Sequence, residues 1–596
     1  MLTVMRARDS WRSEVSAADS ATLGWCGWLE PRLARAPGVD VVVDGTIFNR
    51  SDFPRAASDA ELIAALYRRH GFAGTLARLN GDFAIALHDA GSGTTWLGRD
   101  RFGVKPLYYV ADANRLAFGS RLVALLGLPG VDRTVNHRFV ALFAASHYRY
   151  FDNQPHESPY RDIAQLPAGH LLRWTGGVMA IERYWVLEPQ LDIHLDEGAL
   201  AEQYRELLMD AVSIRYVAAD RPAFTLSGGM DSSSVLACAV RASGNKQRAF
   251  STVYDDPTYD EREDVQTMIE SSVSEWRTVA IGMPDVIGDV TRMIAMHDEP
   301  VATATWLSHY TLCQDARCRD VGALFGGLGG DELNAGEYEY FFFFFADLLK
   351  SGDDAVLEHE IREWIVHHDH PIFRKSRSVA FAGFDRLVDL TRAGVCRADR
   401  TRLEKYSAAL APGFFDLAAF EPAMDHPFAS YLRNRTLQDI GRETLPCCLR
   451  AEDRHATNAE IEHIAPLLDH RLAEFMFRVP GRLKIRDGVT KHLLREAMRG
   501  VLPEETRTRI KKTGWNAPAH RWFSGSGKSV VLDLVASKSF RERGIYDVAE
   551  VRRIIDEHDR IVASGQPQEN HMMFLWQLVN LELWLRWVDA LPAAAA

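Results

Sequence analysis

The chain has 596 residues, of which 47% are hydrophobic and 25% are charged, and its formal net charge at pH 7 is -12. This length and apolar content are enough for two or three domains, each with its own core. The negative charge argues against general nucleic-acid binding, which needs clustered positive charge. No stretch approaches the roughly 18 apolar residues of a membrane-spanning helix, so we expect a cytoplasmic protein without membrane or nucleic-acid partners.

Residues 1–190 are predicted to form short strands separated by turns. The apolar runs 41–45, 81–88, 95–99 and 107–110 are punctuated by Asp-Gly, Asn-Gly and Gly-Ser-Gly sequences, as in a sheet with tight connections. Ser58 and Glu61 have the spacing of a capping box, which predicts a helix between the first two runs. A sheet-rich α+β domain with helices packed on it is therefore expected.

Two strings in this part resemble the N-terminal glutaminase domain of the asparagine synthetases. They are Asn80-Gly81-Asp82-Phe83-Ala84 and the run from Arg99 to Tyr109. In that family a processed first-residue cysteine attacks glutamine while its own amino group acts as the base. The resemblance implies an N-terminal-nucleophile fold for residues 1–190.

Departures from the family pattern predict that glutamine hydrolysis is lost. The residue after Met1 is Leu2, so the free amine and the thiol cannot coincide there. The family's Asn-Gly-Glu is Asp44-Gly45-Thr46 here, which puts negative charge where an oxyanion should form and removes the acid that grips the glutamine amine. Cys26 would become a terminal residue only if everything before it were removed, and a cysteine in an apolar strand usually serves packing.

A polar segment near residues 190–200 predicts the boundary to a second domain, residues 200–590. Beyond it, apolar strand patterns alternate with helical ones: the run 249–254 follows a first strand and helix, and a further helix is predicted to start at Tyr259. Such alternation predicts a doubly wound parallel sheet, whose ligand lies at the carboxyl ends of the strands. The chain is thus expected to be a multidomain α/β protein.

The stretch from Ala223 to Ser234 reads as a buried strand, a tight turn and the start of a helix. Its glycines allow backbone to approach an anion, and its hydroxyls lie beside the free N–H groups of the helix start. Asp231 would repel a phosphate unless a divalent cation lay between them. The stretch therefore predicts binding of a nucleotide with Mg²⁺, although a plain Ser/Gly-rich turn is the alternative.

The same stretch resembles the pyrophosphate loop of the ATP pyrophosphatases, in which ATP is cleaved between its α and β phosphates. It is neither a Walker loop nor a GxGxxG fingerprint. By this resemblance Leu226 and Val253 would flank the adenine. The ATP and pyrophosphate site would comprise Leu226, Ser227, Gly228, Gly229, Asp231, Ser232, Ser233, Val253, Gly327 and Lys491.

The string from Leu324 to Leu333 resembles the family's Ser-Gly-Glu-Gly-Ser-Asp-Glu signature. Asp331 takes the place of the second carboxylate that, with Asp231, holds Mg²⁺ on pyrophosphate. Leu328 replaces the family's Glu, an acid near the reacting amine, and an apolar side chain cannot accept a proton. Either Glu332 or Glu337 serves instead, or the chemistry tolerates the loss.

Residues 340–450 are predicted to be mostly helical and to include the substrate-specific part. The synthetase pattern then resumes, but Ile464 stands where the family has Arg, so an aspartate substrate would lack its usual guanidinium partner. The run 509–518 resembles the family's Lys-x-Gly-Phe-x-x-Pro loop and places Lys512 on the catalytic lysine. Lys511 is the competing assignment.

Together these resemblances imply a ligase that adenylates a carboxylate with ATP and Mg²⁺, releases pyrophosphate and passes the acyl group to nitrogen. The carboxylate would belong to a small molecule or peptide, and the nitrogen to an amine, as in the β-lactam synthetases and lasso-peptide cyclases, or to ammonia. Two alternatives stay open: an asparagine synthetase that uses ammonia or glutamine, and a non-catalytic nucleotide-binding scaffold. A homodimer is compatible with the sequence, which does not fix the oligomeric state.

Overall fold

The computed structural model describes residues 11–17, 21–29, 32–190, 192–193, 195–511 and 517–591. The first part of the chain is rich in antiparallel strands. They are β1 (Arg12–Ala17), β2 (Thr22–Gly27), β3 (Leu33–Ala36), β4 (Val39–Ile47), β5 (Gly81–Asp89), β6 (Thr94–Arg99), β7 (Tyr108–Ala111), β8 (Leu116–Gly119), β9 (Ala164–Gln165), β10 (His170–Thr175) and β11 (Val178–Arg183). Helices α1 (Asp59–Arg78), α2 (Leu122–Leu126) and α3 (His137–Ala145) lie between them.

Six of these strands form one antiparallel sheet in the order β11-β10-β6-β5-β4-β3, beside a three-stranded sheet β8-β7-β9 and a hairpin β1-β2. The predicted helix is α1, whose first turn is capped by Ser58: the Glu61 amide donates to its hydroxyl at 3.2 Å. The Glu61 carboxylate accepts from the amide of Ala57 at 2.9 Å, one residue earlier than an ideal capping box.

Both faces of the six-stranded sheet are buried at its central strands, which explains why β4, β5 and β6 read as continuous apolar runs. Val41 and Val43 of β4 pack in the core that contains α1, whereas Val42 packs on the other face with residues of β2 and β7. Successive side chains of a strand point to opposite faces. Strands β4, β5, β6 and β10 therefore contribute to two cores, whereas the edge strand β11 is largely exposed.

The second part is built on a five-stranded parallel sheet in the order β14-β13-β12-β15-β16. Its strands, followed by a short hairpin, are β12 (Pro222–Thr225), β13 (Gln247–Val253), β14 (Val273–Ala280), β15 (Ala323–Phe325), β16 (Glu462–Ile464), β17 (Ile485–Arg486) and β18 (Val489–Thr490). The helices that precede β15 in this part are α4 (Glu197–Ala218), α5 (Met230–Ser243), α6 (Gln266–Ser272), α7 (Val286–His297) and α8 (Thr305–Arg317). Two separate cores cover the two faces of this sheet, so the predicted doubly wound architecture is confirmed.

The helix predicted to start at Tyr259 begins later, at Gln266, and this boundary was wrong. Residues 255–265 form turns instead. Asp256 accepts from the amide of Thr258 at 3.0 Å, and Tyr259 donates to the Asp256 carbonyl. An Asp side chain bonded to the backbone two residues on stabilises a turn in competition with a helix.

The remaining chain is mostly helical. Its helices are α9 (Gly330–Asn334), α10 (Tyr340–Ser351), α11 (Asp354–His368), α12 (Arg377–Leu387), α13 (Arg400–Leu403), α14 (Tyr431–Gly441), α15 (Thr444–Asn458), α16 (His470–Met476), α17 (His492–Ala497), α18 (Glu504–Thr508), α19 (Ser526–Ala536), α20 (Lys538–Glu542), α21 (Val548–Ser564) and α22 (Met572–Ala590). The Phe-rich helix α10 is largely buried within this region. None of the described helices has the length and apolarity required to cross a membrane.

The two parts share a core despite the polar link between them. Residues of α2 and α3, which precede the predicted boundary near residue 190, belong to the same apolar cluster as α22 near the end of the described chain. Phe139 of α3 packs edge-on against Trp584, with ring centroids 5.9 Å apart. Gln577 donates to the carbonyl oxygens of Phe143 and Ser146 at 3.2 and 3.0 Å.

A buried ion pair of the second part also bonds to the first part. Asp469 is 1% exposed, and its carboxylate accepts from the Arg215 guanidinium at 2.8 Å and from the Asn80 amide at 2.9 Å. Burial alone would raise the pKa of Asp469, but Arg215 and Arg471 outweigh it and hold that pKa well below the ordinary value. The carboxylate therefore stabilises the fold at neutral pH, and this contribution is lost only as pH falls below the usual Asp range.

We predict that Asp469→Asn lowers the free energy of unfolding by about 3–5 kcal/mol, because Arg215 is left buried without a counter-charge. Urea denaturation at neutral pH measures this. Asp210→Asn is the matched control, since the Asp210 carboxylate is 51% exposed and pairs with Arg471 at the surface, where such a pair contributes about 1 kcal/mol or less. Equal losses in the two variants would contradict the prediction.

Candidate active site

A cavity of about 470 Å³ opens at the carboxyl ends of the parallel strands. Its walls come from distant segments of the chain: the turn after β12, the end of β13, the turn after β15, one face of α15, the approach to α17 and the start of α22. Tyr148 of the first part also lines it. Because ligands of doubly wound sheets bind at this edge, the cavity is the candidate site.

The turn after β12 has the geometry of an anion cradle. The Ser232 hydroxyl accepts from the Ser227 amide at 3.2 Å and lies 3.0 Å from the Ser227 hydroxyl. The Gly229 amide donates to the Ser227 hydroxyl at 3.2 Å. Helix α5 then begins at Met230 without a side-chain cap. The N–H groups of its first turn are therefore available to a negatively charged ligand.

The turn after β15 packs directly on the first turn, and glycine makes this approach feasible. A Cβ on Gly327 would lie 2.7 Å from the Ser232 backbone nitrogen and 2.9 Å from the Asp231 Cβ. A Cβ on Gly330 would lie 2.3 Å from the Asp231 carboxyl carbon. No side chain fits at either position. The two glycine-rich turns thus form one unit around Asp231.

Asp231 and Asp331 are brought together beside one ammonium group. Lys491 Nζ lies 2.8 Å from Asp331 Oδ1 and also contacts Asp231 Oδ2. Lys491 is 5% exposed and holds a left-handed backbone conformation with φ of 61°, which is uncommon for a residue with a side chain. Two convergent carboxylates also form a donor set that suits Mg²⁺.

Further cations surround the cradle. Arg495 follows Lys491 by one helical turn; burial lowers the pKa of Arg495 to about 10, so the guanidinium remains charged at neutral pH. Arg509 donates to the Gly228 carbonyl at 3.3 Å and contacts the Asp264 carbonyl, which ties the cradle to residues before α6. Arg262 and Lys511 line the same cavity. This end of the cavity is therefore suited to phosphates.

Most of the residues that the sequence nominated line the cavity. They are Leu226, Ser227, Gly228, Gly229, Asp231, Ser232, Gly327, Asp331 and Lys491. Val253 and Ser233 do not line it. Val253 is buried in β13 and its neighbour Thr252 faces the cavity instead, because adjacent strand residues point in opposite directions. Ser233 is fully buried in α5. Lys512 lies outside the described residues, although its neighbours Lys511 and Ala517 line the cavity.

Several lining residues were missed by sequence reasoning. Thr444, Cys448 and Glu452 all reach the cavity from α15, and their spacing of four residues places them on one helix face. That spacing was a usable signal once the helix had been located. Tyr148 and Met572 carried no such signal, since they join the wall only through the packing of the two parts.

Two glutamates line the cavity close to the glycine-rich turns. Glu332 is 4% exposed, and burial together with the charge of Asp331 raises its pKa to about 8. Glu452 pairs with His463 of β16, behind the wall. Leu328, where a family acid was expected, lines the cavity as a partly buried apolar side chain. Acidic and basic side chains thus lie close together around the glycine-rich turns.

The Asp44–Thr46 run of the first part faces the second part. The Thr46 hydroxyl donates to Glu462 at 2.8 Å and accepts from Arg32 at 3.1 Å, and Arg32 pairs with Glu462 at 3.0 Å. Gly45 has φ of 123°, and a Cβ there would lie 1.9 Å from the Asp82 carbonyl oxygen. The run is therefore held in a polar bridge between the two parts.

Comparison with known proteins matches both parts. The family model described as asparagine synthase matches residues 203–586, and the one described as a glutamine amidotransferase domain matches residues 39–185. Asparagine synthetase [glutamine-hydrolyzing] 2 of Bacillus subtilis is 25% identical and covers 95% of this chain and 74% of the relative. Asparagine synthetase [glutamine-hydrolyzing] 3 of the same organism is 23% identical, over 73% of this chain and 67% of the relative.

Amidase chry2 of Gibberella zeae is 24% identical, over 86% of this chain and 81% of the relative. Among solved structures, glutamine phosphoribosylpyrophosphate amidotransferase from B. subtilis matches with 13% identity over 42% of this chain and 64% of that chain. Its TM-score of 0.19 is too low to support a comparison of the folds.

We predict that Gly327→Ala lowers the free energy of unfolding by about 1–3 kcal/mol, because the added methyl group forces the two glycine-rich turns apart. Urea denaturation measures the loss. Gly441→Ala, at the last residue of α14, is the matched control: a Cβ there meets nothing within 4 Å, so no loss is expected. A Gly327→Ala protein as stable as the control would show that the turns are not tightly packed.

Proposed function

The chain belongs to the asparagine synthase family, and we propose that it is an ATP-dependent, amide-forming synthetase that does not hydrolyse glutamine. Members of this family are ligases that form C–N bonds with release of AMP and pyrophosphate. The carboxylate would first be converted to an acyl adenylate. A nitrogen nucleophile would then displace AMP, which divides one difficult condensation into two easier steps.

The observation that carries this proposal is the convergence of Asp231 and Asp331 on Lys491 beside an uncapped helix N-terminus. A triphosphate needs N–H donors and cations at one place, and these groups lie within a single cavity. Asp231 and Asp331 would hold Mg²⁺, which when bound would neutralise the departing pyrophosphate. Lys491 would move aside or share the phosphate oxygens.

Two neighbouring lysines are candidates for the cation that stabilises the α-phosphate. By its position in the family's loop, Lys512 is proposed to stabilise negative charge at the α-phosphate during adenylate formation. Its neighbour Lys511 lines the cavity. The retention of Asp231, Asp331 and this lysine pair together argues against a non-catalytic scaffold, because loss of activity would relax the requirement for all of them.

Three features support the loss of glutamine hydrolysis. Asp44 brings negative charge to a position where an oxyanion would have to be stabilised. Thr46 is engaged with Glu462 rather than available for an amine. Removal of the residues before Cys26 would also delete β1, whose Ser13 pairs with Cys26 across the hairpin. The nitrogen is therefore proposed to come from ammonia or from an amine.

The substrate carboxylate is proposed to be other than a simple aspartate held by a guanidinium at position 464, since Ile464 is buried and apolar. A role in specialised metabolism would fit. The second candidate is an asparagine synthetase that uses ammonia or glutamine, and the printed names of two B. subtilis relatives favour it. The name of the Gibberella zeae relative, an amidase, does not.

We predict that Asp231→Asn and Asp331→Asn each lower ATP–pyrophosphate exchange by at least about 100-fold, because the charge that develops on pyrophosphate loses its metal site. Exchange is measured with a panel of carboxylates that includes L-aspartate and a short peptide. Asp220→Asn is the matched control: Asp220 is exposed and precedes β12 at the opposite end of the strand. Wild-type levels of exchange in both site variants would refute the assignment.

We further predict that labelled glutamine yields no glutamate while ammonium or an amine supports AMP formation with the active carboxylate. The physical reason is that Asp44 and Thr46 cannot bind the glutamine amide and amine. Chromatography of the labelled products measures this directly. Glutamate production that keeps pace with AMP formation would favour the second candidate.

A further inference from the structure

Helix α15 presents one face to the cavity, and Glu452 is the acid on that face. Thr444, Cys448 and Glu452 follow one another at intervals of four residues and all line the cavity. Glu452 is only 5% exposed, so its carboxylate is withdrawn from bulk water yet in contact with the cavity. Neither the family motifs nor the phosphate-binding residues include it.

Glu452 lies where the two central strands end. A Cβ built on Gly326, the residue after β15, would be 3.8 Å from Glu452 Oε2 and 3.5 Å from the Thr225 hydroxyl at the end of β12. The turn with Asp231 begins two residues after Thr225, and the turn with Asp331 begins beside Gly326. The Glu452 carboxylate therefore borders the point from which both phosphate-binding turns depart.

His463 holds this carboxylate in its ionised form. The imidazole Nε2 pairs with Glu452 Oε2, and both residues are 5% exposed. Burial alone would raise the pKa of Glu452, but the charge of His463 outweighs burial and lowers it. Burial would lower the pKa of His463, but Glu452 raises it above the ordinary value. The pairing therefore favours the charged forms of both side chains.

Other titratable groups face the pair from each neighbouring element. His309 of α8 lies near Glu452, and burial lowers the pKa of His309 to about 4, so that imidazole is neutral. Asp82 of β5 and Asp453 of α15 face His463. Asp453 is itself neutralised by Lys105 at 2.7 Å. The Cys448 thiol, whose pKa is raised by Cys447 and by burial, stays protonated.

We propose that Glu452 accepts the proton of the attacking nitrogen in the second half-reaction, with His463 as its positioning residue. This inference rests on the proposed amide-forming function. The nitrogen forms a bond to the acyl carbon, the bond from that carbon to the AMP oxygen breaks, AMP leaves with its electron pair, and the nitrogen's proton passes to Glu452. Leu328 cannot take that proton, and Glu332, whose pKa burial raises to about 8, already carries one at neutral pH. The acid on α15 therefore supplies the base.

A carboxylate with a lowered pKa is sufficient for this step. Once nitrogen has bonded to the acyl carbon it carries positive charge and becomes strongly acidic, so a weak base can remove its proton. His463 keeps Glu452 ionised and aimed into the cavity, as the third group orients the base in nucleophile–base arrangements.

The test separates the two half-reactions in the full-length protein. The first is followed by ATP–pyrophosphate exchange with the carboxylate most active in the panel. The second is followed with ammonium chloride and, separately, with hydroxylamine. The N-protonated adduct of hydroxylamine is more acidic than that of ammonia, so it loses its proton to water more readily and needs less help from a base. Glu452→Gln is expected to leave exchange unchanged, to lower amide formation from ammonium by about 10²–10⁴-fold, and to lower hydroxamate formation far less.

Glu460→Gln is the matched control. Glu460 pairs with Arg317 at 2.9 Å in the connection between α15 and β16, so the variant removes one paired carboxylate from the same segment without touching the cavity. His463→Gln is expected to shift the acid limb of the pH–rate profile for amide formation to higher pH, because Glu452 loses the charge that lowers its pKa. A merely structural role for His463 would not move that limb.

Each outcome decides a different question. Absence of exchange in the wild-type protein with every carboxylate would refute the proposed function and this inference with it. Normal exchange with undiminished amide formation in Glu452→Gln would overturn the role of Glu452 alone. A parallel fall in exchange, amide and hydroxamate would also overturn it, because the residue would then support the cavity rather than the proton transfer. Formation of hydroxamate but not of amide by the wild-type protein would likewise overturn the role of Glu452.

Discussion

The interaction on which the site depends is the pairing of two carboxylates with one buried ammonium group. Asp231 and Asp331 belong to turns that follow different strands, and like charges this close in a poorly solvated place repel unless a cation lies between them. Lys491 supplies that cation from a strained backbone position. The glycines of both turns, the uncapped start of α5 and the parallel sheet all serve to keep this small group of charges together.

The acids around that group are each balanced locally. Glu332 follows Asp331 directly, and burial raises its pKa to about 8, so it carries a proton at neutral pH. The Glu452 carboxylate, which lies beside Gly326 at the start of the second turn, is paired with His463. The acids of the site are thus balanced by a proton, by an imidazole partner or by the Lys491 ammonium group.

Local patterns predicted the architecture and most of the residues that line the cavity around the two glycine-rich turns. Strand runs with turn residues, the capping residue Ser58 and the strand–turn–helix of 223–234 depend on neighbours in sequence, so they can be read without the fold. The side-chain direction of Val253, the turn at Asp256 and the wall residues Tyr148 and Met572 depend on long-range packing. The Glu452–His463 pair was also out of reach, because its two members only meet when β16 packs beside α15.

Packing between the two parts makes the second part depend on the first. Helix α3 lies in the same apolar cluster as α22, and Asn80 helps to satisfy the buried carboxylate of Asp469. A chain without the first part would expose apolar side chains of α22 to water and would leave the Asp469 carboxylate without one of its hydrogen-bond donors. The first part is thus a structural support for the second, independently of any reaction that it catalyses.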